Sequence, residues 1–197
     1  MCPGLRTLAG AGLAALAGCA TPSAVEMTPP VNPSPAVVGA VAFAAQGSGT
    51  TVGYGTWGVS GPGVELGYAG HGQWAGRIDG TDVRISTSWG RIQGPGIDLA
   101  VYRSGKELLV RGDWGGRNVD ITVGRDRLTG SPDGGSCSFH FAATVPGELA
   151  GELGCLAAPG GHPSASTGTL KLQGEAILVP DVLMPQFVLA LLTALPH

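Results

Sequence analysis

The feature that most constrains this chain is a short unit that keeps returning. It consists of an apolar residue, any residue, a glycine, a brief gap, and then apolar residues alternating with polar ones. It reads Val59-Ser60-Gly61 followed by Val64, Leu66 and Tyr68, and again Ile78-Asp79-Gly80 followed by Val83 and Ile85. Ile92-Gln93-Gly94 leads to Ile97, Leu99 and Val101, and Val110-Arg111-Gly112 leads to Val119, Ile121 and Val123. Leu128-Thr129-Gly130 leads to Cys137, Phe139 and Phe141. Leu149-Ala150-Gly151 is a degenerate copy, and Leu172-Gln173-Gly174 with Ile177 and Val179 is the last. Gly61-Pro62-Gly63 and Gly94-Pro95-Gly96 are turn chemistry, because glycine supplies positive φ and proline fixes its own. A period of two after each turn puts one strand face on a core and the other in water. The wet face then carries Glu65, Arg84, Asp98, Asp120, Ser138 and His140. Each unit is a β-hairpin, and hairpins in series stack as an antiparallel meander.

A half-apolar sheet twists and must cover its apolar face. The expected fold is therefore all-β: a curved antiparallel sheet, closed as a barrel or folded as a sandwich, with one C-terminal apolar helix. That helix is expected over residues 181–195, with Asp181 as its cap and Pro185 tolerated in its first turn. It is short for a membrane span, and a helix apolar on nearly every side belongs in a core. It is expected to plug or lid the sheet; a helix lying on a membrane or a partner is the alternative. The chain has 35 glycines, yet 43% of its residues are hydrophobic, which favours a folded domain over disorder. Its 11 Lys+Arg against 14 Asp+Glu form no basic stripe, which excludes nucleic acid as an expected partner.

The amino-terminal segment has a different character. Arg6 precedes a short apolar run over residues 8–17 that closes on Leu16-Ala17-Gly18-Cys19. This tetrapeptide resembles the lipobox of bacterial lipoproteins. The resemblance implies a signal peptide over residues 1–18, cleavage before Cys19, and lipid (palmitate among its acyl chains) attached there as a membrane anchor. It implies the cell envelope as location. Ala20 and Thr21 stand where lipoproteins retained at the inner membrane tend to carry aspartate, which implies the outer membrane in a diderm organism. Residues 19–36 hold Pro22, Pro29, Pro30, Pro33 and Pro35 with Glu26 as their charge, a composition that favours extended geometry and suits a tether. The folded domain is then residues 37–197. Over roughly residues 55–180 it resembles glycine-patterned β-hairpin-repeat proteins of bacterial envelopes, which carry no assigned activity to transfer.

Of the four cysteines, Cys2 would leave with the signal and Cys19 would take lipid. Cys137 and Cys155 remain, and in an oxidising compartment a disulfide between them is expected. A two-cysteine metal site would need close-spaced partners that neither has.

Catalytic signals are sparse. His71, His140, His162 and His197 lack metal-site spacing, and no Gly-x-Ser-x-Gly elbow is present. Ser138 and His140 share a strand face, but no spacing supplies an orienting carboxylate or an oxyanion hole. The carboxylates are spread singly and suit pairing with Arg77, Arg91 and Arg117 across the wet face. No catalytic residue, metal or cofactor is therefore expected.

The aromatic residues are the candidates for binding. Trp57, Trp74, Trp89 and Trp114 all lie in the first half of the domain, with Tyr54, Tyr68 and Tyr102. Exposed tryptophans beside polar side chains stack on sugars and contact partners; the alternative is burial in the core. Gly55-Thr56-Trp57 resembles the Gly-x-Trp signature of lipocalins, which implies an eight-stranded barrel around an apolar ligand. The helix at the end of this chain, rather than before a last strand, departs from that family. The expected function is a non-enzymatic envelope lipoprotein whose β domain binds or scaffolds another envelope protein or glycan. Trp57, Trp74, Trp89, Trp114, Tyr68 and Tyr102 are its candidate surface. A carrier of a small apolar ligand in a barrel cavity is the alternative. An envelope hydrolase is the remote one.

Overall fold

The computed structural model describes residues 39–45, 48–124, 126–133, 135, 137–145, 148–155, 164–173 and 184–195. Its strands are β1 (Gly39–Ala45), β2 (Ser48–Gly55), β3 (Gly58–Gly61), β4 (Val64–Gly70), β5 (Gln73–Ile78), β6 (Thr81–Ser88) and β7 (Arg91–Gly94). They continue as β8 (Ile97–Ser104), β9 (Glu107–Trp114), β10 (Arg117–Val123), β11 (Arg127–Ser131), β12 (Cys137–Val145), β13 (Glu148–Cys155) and β14 (Ser164–Gln173). One helix, α1 (Met184–Ala194), follows. Every strand pairs antiparallel with its sequence neighbours, and β1 pairs with β14 to close a barrel. The choice between barrel and sandwich is thus resolved in favour of the barrel. Its fourteen strands exceed the eight of a lipocalin.

The alternation read from sequence sets the two faces. Val52, Leu66, Ile85, Leu99, Val110, Ile121, Leu128, Phe139 and Leu170 point inward and are buried. Glu65, Arg84, Asp98, Asp120, Ser138 and His140 point outward and are exposed. Ion pairs join neighbouring strands across that outer wall: Arg77 to Glu65 at 3.0 Å and Arg91 to Asp98 at 2.7 Å. Arg111 pairs with Asp120 at 3.1 Å, and Arg127 of β11 reaches past β10 to Glu107 of β9 at 2.7 Å. A barrel that spans a membrane shows an apolar band to lipid. Over β4–β11 this wall instead carries ion-paired charges.

Fourteen strands enclose more space than side chains alone can fill. Helix α1 fills it. Gln186 to Leu195 are all buried, and the helix packs on the inward face of β1, β2 and β3. The Phe187 ring meets Tyr54 edge-on at 5.8 Å, and the helix joins one continuous core with inward residues from β1 to β14. The expected plug is therefore observed over 184–194; residues 181–183, with the Asp181 cap, lie outside the described residues. So do Ile177 and Val179 of the last sequence unit.

Closure depends on a column of glycines, one in each odd strand from β3 to β13. Gly76, Gly112, Gly130 and Gly151 stand directly opposite Leu66, Leu99, Ile121 and Phe141 of the preceding strand. A Cβ on Gly112 would lie 2.0 Å from the Asp98 carbonyl oxygen, and Gly112 holds φ at 135°. The other three are equally closed to a side chain. Setting a glycine against each bulky inward residue lets the strands cross closely on the crowded concave side. In the second repeat this glycine is Gly76, after Trp74 and Ala75. Gly80, which the sequence pattern selects, sits instead in the next turn with open space around it.

Candidate functional site

In a closed meander, successive turns alternate between the two ends of the barrel. The end where β1 begins and β14 finishes, the proximal rim, carries the turns Thr56-Trp57, His71-Gly72, Trp89-Gly90 and Gly105-Lys106. The distal rim carries Pro62-Gly63, Asp79-Gly80, Pro95-Gly96 and Gly115-Gly116. The two rims differ in chemistry. Trp57, Trp89, Tyr102 and Val145 are the exposed large hydrophobic residues among those described, and all four lie at the proximal rim. Trp57, Trp89 and Tyr102 belong to the β2–β3 turn, the β6–β7 turn and β8, on the half of the rim that runs from β2 to β8.

The arc is firmly built. Trp57 packs on Tyr68 at 6.0 Å between ring centroids, and Tyr68 packs on Trp74 at 4.9 Å. This file runs from the half-exposed Trp57 to Trp74 in the core. Its polar atoms are occupied: the Gly72 N–H donates to Tyr68 Oη at 3.1 Å, and Trp74 Nε1 donates to Thr87 Oγ1 at 3.1 Å. Thr87 Oγ1 in turn donates to the Gly72 carbonyl. Arg111 Nη1 donates to Tyr102 Oη at 3.1 Å while its Nε holds Asp120, and those two contacts raise the Arg111 pKa, Asp120 first. Backbone bonds stitch each turn to the second strand after it: Tyr68 N–H of β4 to the Trp57 carbonyl, Thr87 N–H of β6 to that of Gly72, Val101 N–H of β8 to that of Gly90.

Trp89 is the exception to this economy. Its side chain is 103% exposed, and its backbone holds φ at 43° in the left-handed region. With Gly90 at φ 75° it forms a two-residue turn of the kind that favours Asn, Asp or Gly. A bulky L residue there costs on the order of 1 kcal/mol or more. Folding gains nothing from this ring, since it touches only water.

The structure divides the candidate aromatic surface. Trp74 and Trp114 are 3% and 5% exposed and are core residues, a correction to their place among contact candidates. Their large apolar area fills the lumen, where alternation directs it. Tyr68 is half-buried, and Trp57, Trp89 and Tyr102 remain at the surface. Parity of the turns was the legible but unread signal: Trp57 and Trp89 occupy every-other-loop positions and so share one end.

Ser138 and His140 lie on the outer wall, with Glu152 opposite His140 in register. Among the described residues no group of three or more His, Cys, Asp or Glu is placed to hold a metal ion. Cys137 stands directly opposite Cys155 in the β12–β13 ladder, at the distal end. Cys2, Cys19, the tether, His162 and His197 lie outside the described residues. No protein-family model, curated protein or solved structure matches the chain.

Proposed function

We propose that this chain is a lipid-anchored protein of the cell envelope whose barrel, without catalysing a reaction, binds another envelope component through its proximal rim. The lipobox-like Leu16-Ala17-Gly18-Cys19 and the proline-rich residues that follow support the anchor. The observation that carries the binding role is Trp89: a fully exposed ring held in a costly backbone conformation, on the rim that also gathers Trp57 and Tyr102. Strain without a folding benefit points to function. The apolar helix α1 fills the lumen, so a surface role fits this barrel better than carriage of a ligand inside it.

A Cys137–Cys155 bridge belongs to the same reading. Their direct opposition in register supports it, and an oxidising compartment would sustain it.

Two measurements test the proposal. Mass spectrometry of the mature amino terminus should find lipid on Cys19, and an unmodified Cys19 would overturn the anchor. A photo-cross-linking side chain placed at Trp89, compared with one at Asp79 on the distal rim, should capture an envelope component from the proximal position alone. Equal labelling from both rims would overturn the binding role.

A further inference from the structure

We infer that the component met by the proximal rim is the lipid bilayer surface itself, so that the barrel stands on the membrane to which Cys19 would tie it. This rests on the lipid-anchor reading and adds to it the contact made by the folded domain.

Connectivity is the first argument. The chain joins the barrel at Gly39, the first residue of β1, on the rim that bears Trp57, Trp89 and Tyr102. A stretch the length of residues 20–38 spans at most about 60 Å at the polyproline rise. Such a tether holds the barrel near the membrane without choosing its orientation, and a barrel resting on this rim needs no path along its wall.

The kind of side chain is the second. Tryptophan and tyrosine favour the headgroup level of a bilayer, where an apolar ring and a polar edge are satisfied together. Trp57 and Trp89 stand at turn tips, the first parts of the barrel to meet a flat surface. Tyr102 sits just behind, two residues before β8 ends.

Charge is the third. Arg91, Arg103, Lys106 and Arg127 lie at this rim with Glu107 and Asp126, an excess of basic groups. Asp79, Asp82, Asp113 and Asp133 lie at the distal one with Arg77 and Arg117, an excess of acidic ones. Basic side chains near anionic lipid attract, and the acidic end is repelled, so the polarity of the barrel matches one orientation. The wall between the rims is charged and paired, which stops the barrel at the surface and keeps it from inserting.

The test uses the full chain carrying Cys19→Ala, so that no lipid holds it, with vesicles of phosphatidylethanolamine and phosphatidylglycerol. The chain should co-sediment, and its tryptophan emission should shift to the blue. Trp89→Ala should weaken partitioning on the order of tenfold, as expected for loss of one large buried ring. Lys106→Glu should weaken it several-fold and lower its salt sensitivity. Asp79→Asn at the distal rim should change nothing. Failure of the Cys19→Ala chain to bind, or equal binding by Trp89→Ala, would overturn the inference. The anchor would then still stand or fall on lipid at Cys19, and cross-links from the rim would identify a protein or glycan in place of the bilayer.

Discussion

The two ends of this barrel are made by the same device, a tight turn between antiparallel strands, yet they carry opposite chemistry. At the distal rim the turns are Pro-Gly, Asp-Gly and Gly-Gly, residues that satisfy the backbone and expose little else. Asp113 even accepts a bond from the Gly116 N–H at 3.0 Å to close its own turn. At the proximal rim a tryptophan takes the left-handed position that Asp79 takes at the other end, with φ of 43° and 49° respectively. Turns chosen for folding alone resemble the distal set. The Trp89-Gly90 turn gives up stability and presents aromatic surface, which supports the contact proposed for this rim.

Substitutions that break this comparison begin where both rims depend on the same wall. Gly112→Ala should cost about 3 kcal/mol or more, because its Cβ would meet backbone that cannot move aside. Gly80→Ala, in a turn with open space, should cost only the left-handed strain, about 1 kcal/mol. Denaturant midpoints should separate the two clearly, and similar values would refute the glycine column as the basis of closure.

Next come the tryptophans. Trp114, at the distal end of β9, is buried, and Trp114→Ala should cost about 3–5 kcal/mol. Trp89→Asn should stabilise the barrel by about 1 kcal/mol, since asparagine accepts the left-handed turn. A destabilised Trp89→Asn would mean that the ring contributes to folding after all.

The smallest effect concerns Tyr54, next to Phe187 of the helix. Burial pushes its phenol pKa up from 10.0 to about 12. The folded state therefore favours the neutral phenol. That contribution is complete below pH 10 and is lost as pH rises from there through about 12. Tyr54→Phe should flatten the fall in stability over this alkaline window. Parallel unfolding curves for the two proteins would show that the phenol does not titrate against burial.

Much of this was written in local sequence. The period of two placed Glu65, Asp98 and Asp120 outside and Leu66, Leu99 and Ile121 inside, because a strand has only two faces and water accepts only one of them. Turn positions at Pro62-Gly63 and Pro95-Gly96 followed from the φ values those residues allow. The apolar helix at the C-terminus was legible for the same reason, as a segment with no face to offer water. The sites were harder. Trp74 and Trp89 look alike in sequence, each beside small and polar neighbours, but Trp74 faces inward on β5 while Trp89 occupies the turn between β6 and β7.

What tertiary structure alone decided was closure and polarity. Pairing of β1 with β14 joins residues from the two ends of the described barrel, and no local pattern encodes so distant a ladder. That closure gives the barrel two rims, and the parity of fourteen strands assigns every turn to one of them. The sequence by itself determined which aliphatic strand residues face the core and which charged ones face water, though not the burial of Trp74 and Trp114. The fold determined that the water-facing aromatic residues lie at one end of the barrel, because side-chain phase is a local property and the end to which a turn is assigned is not.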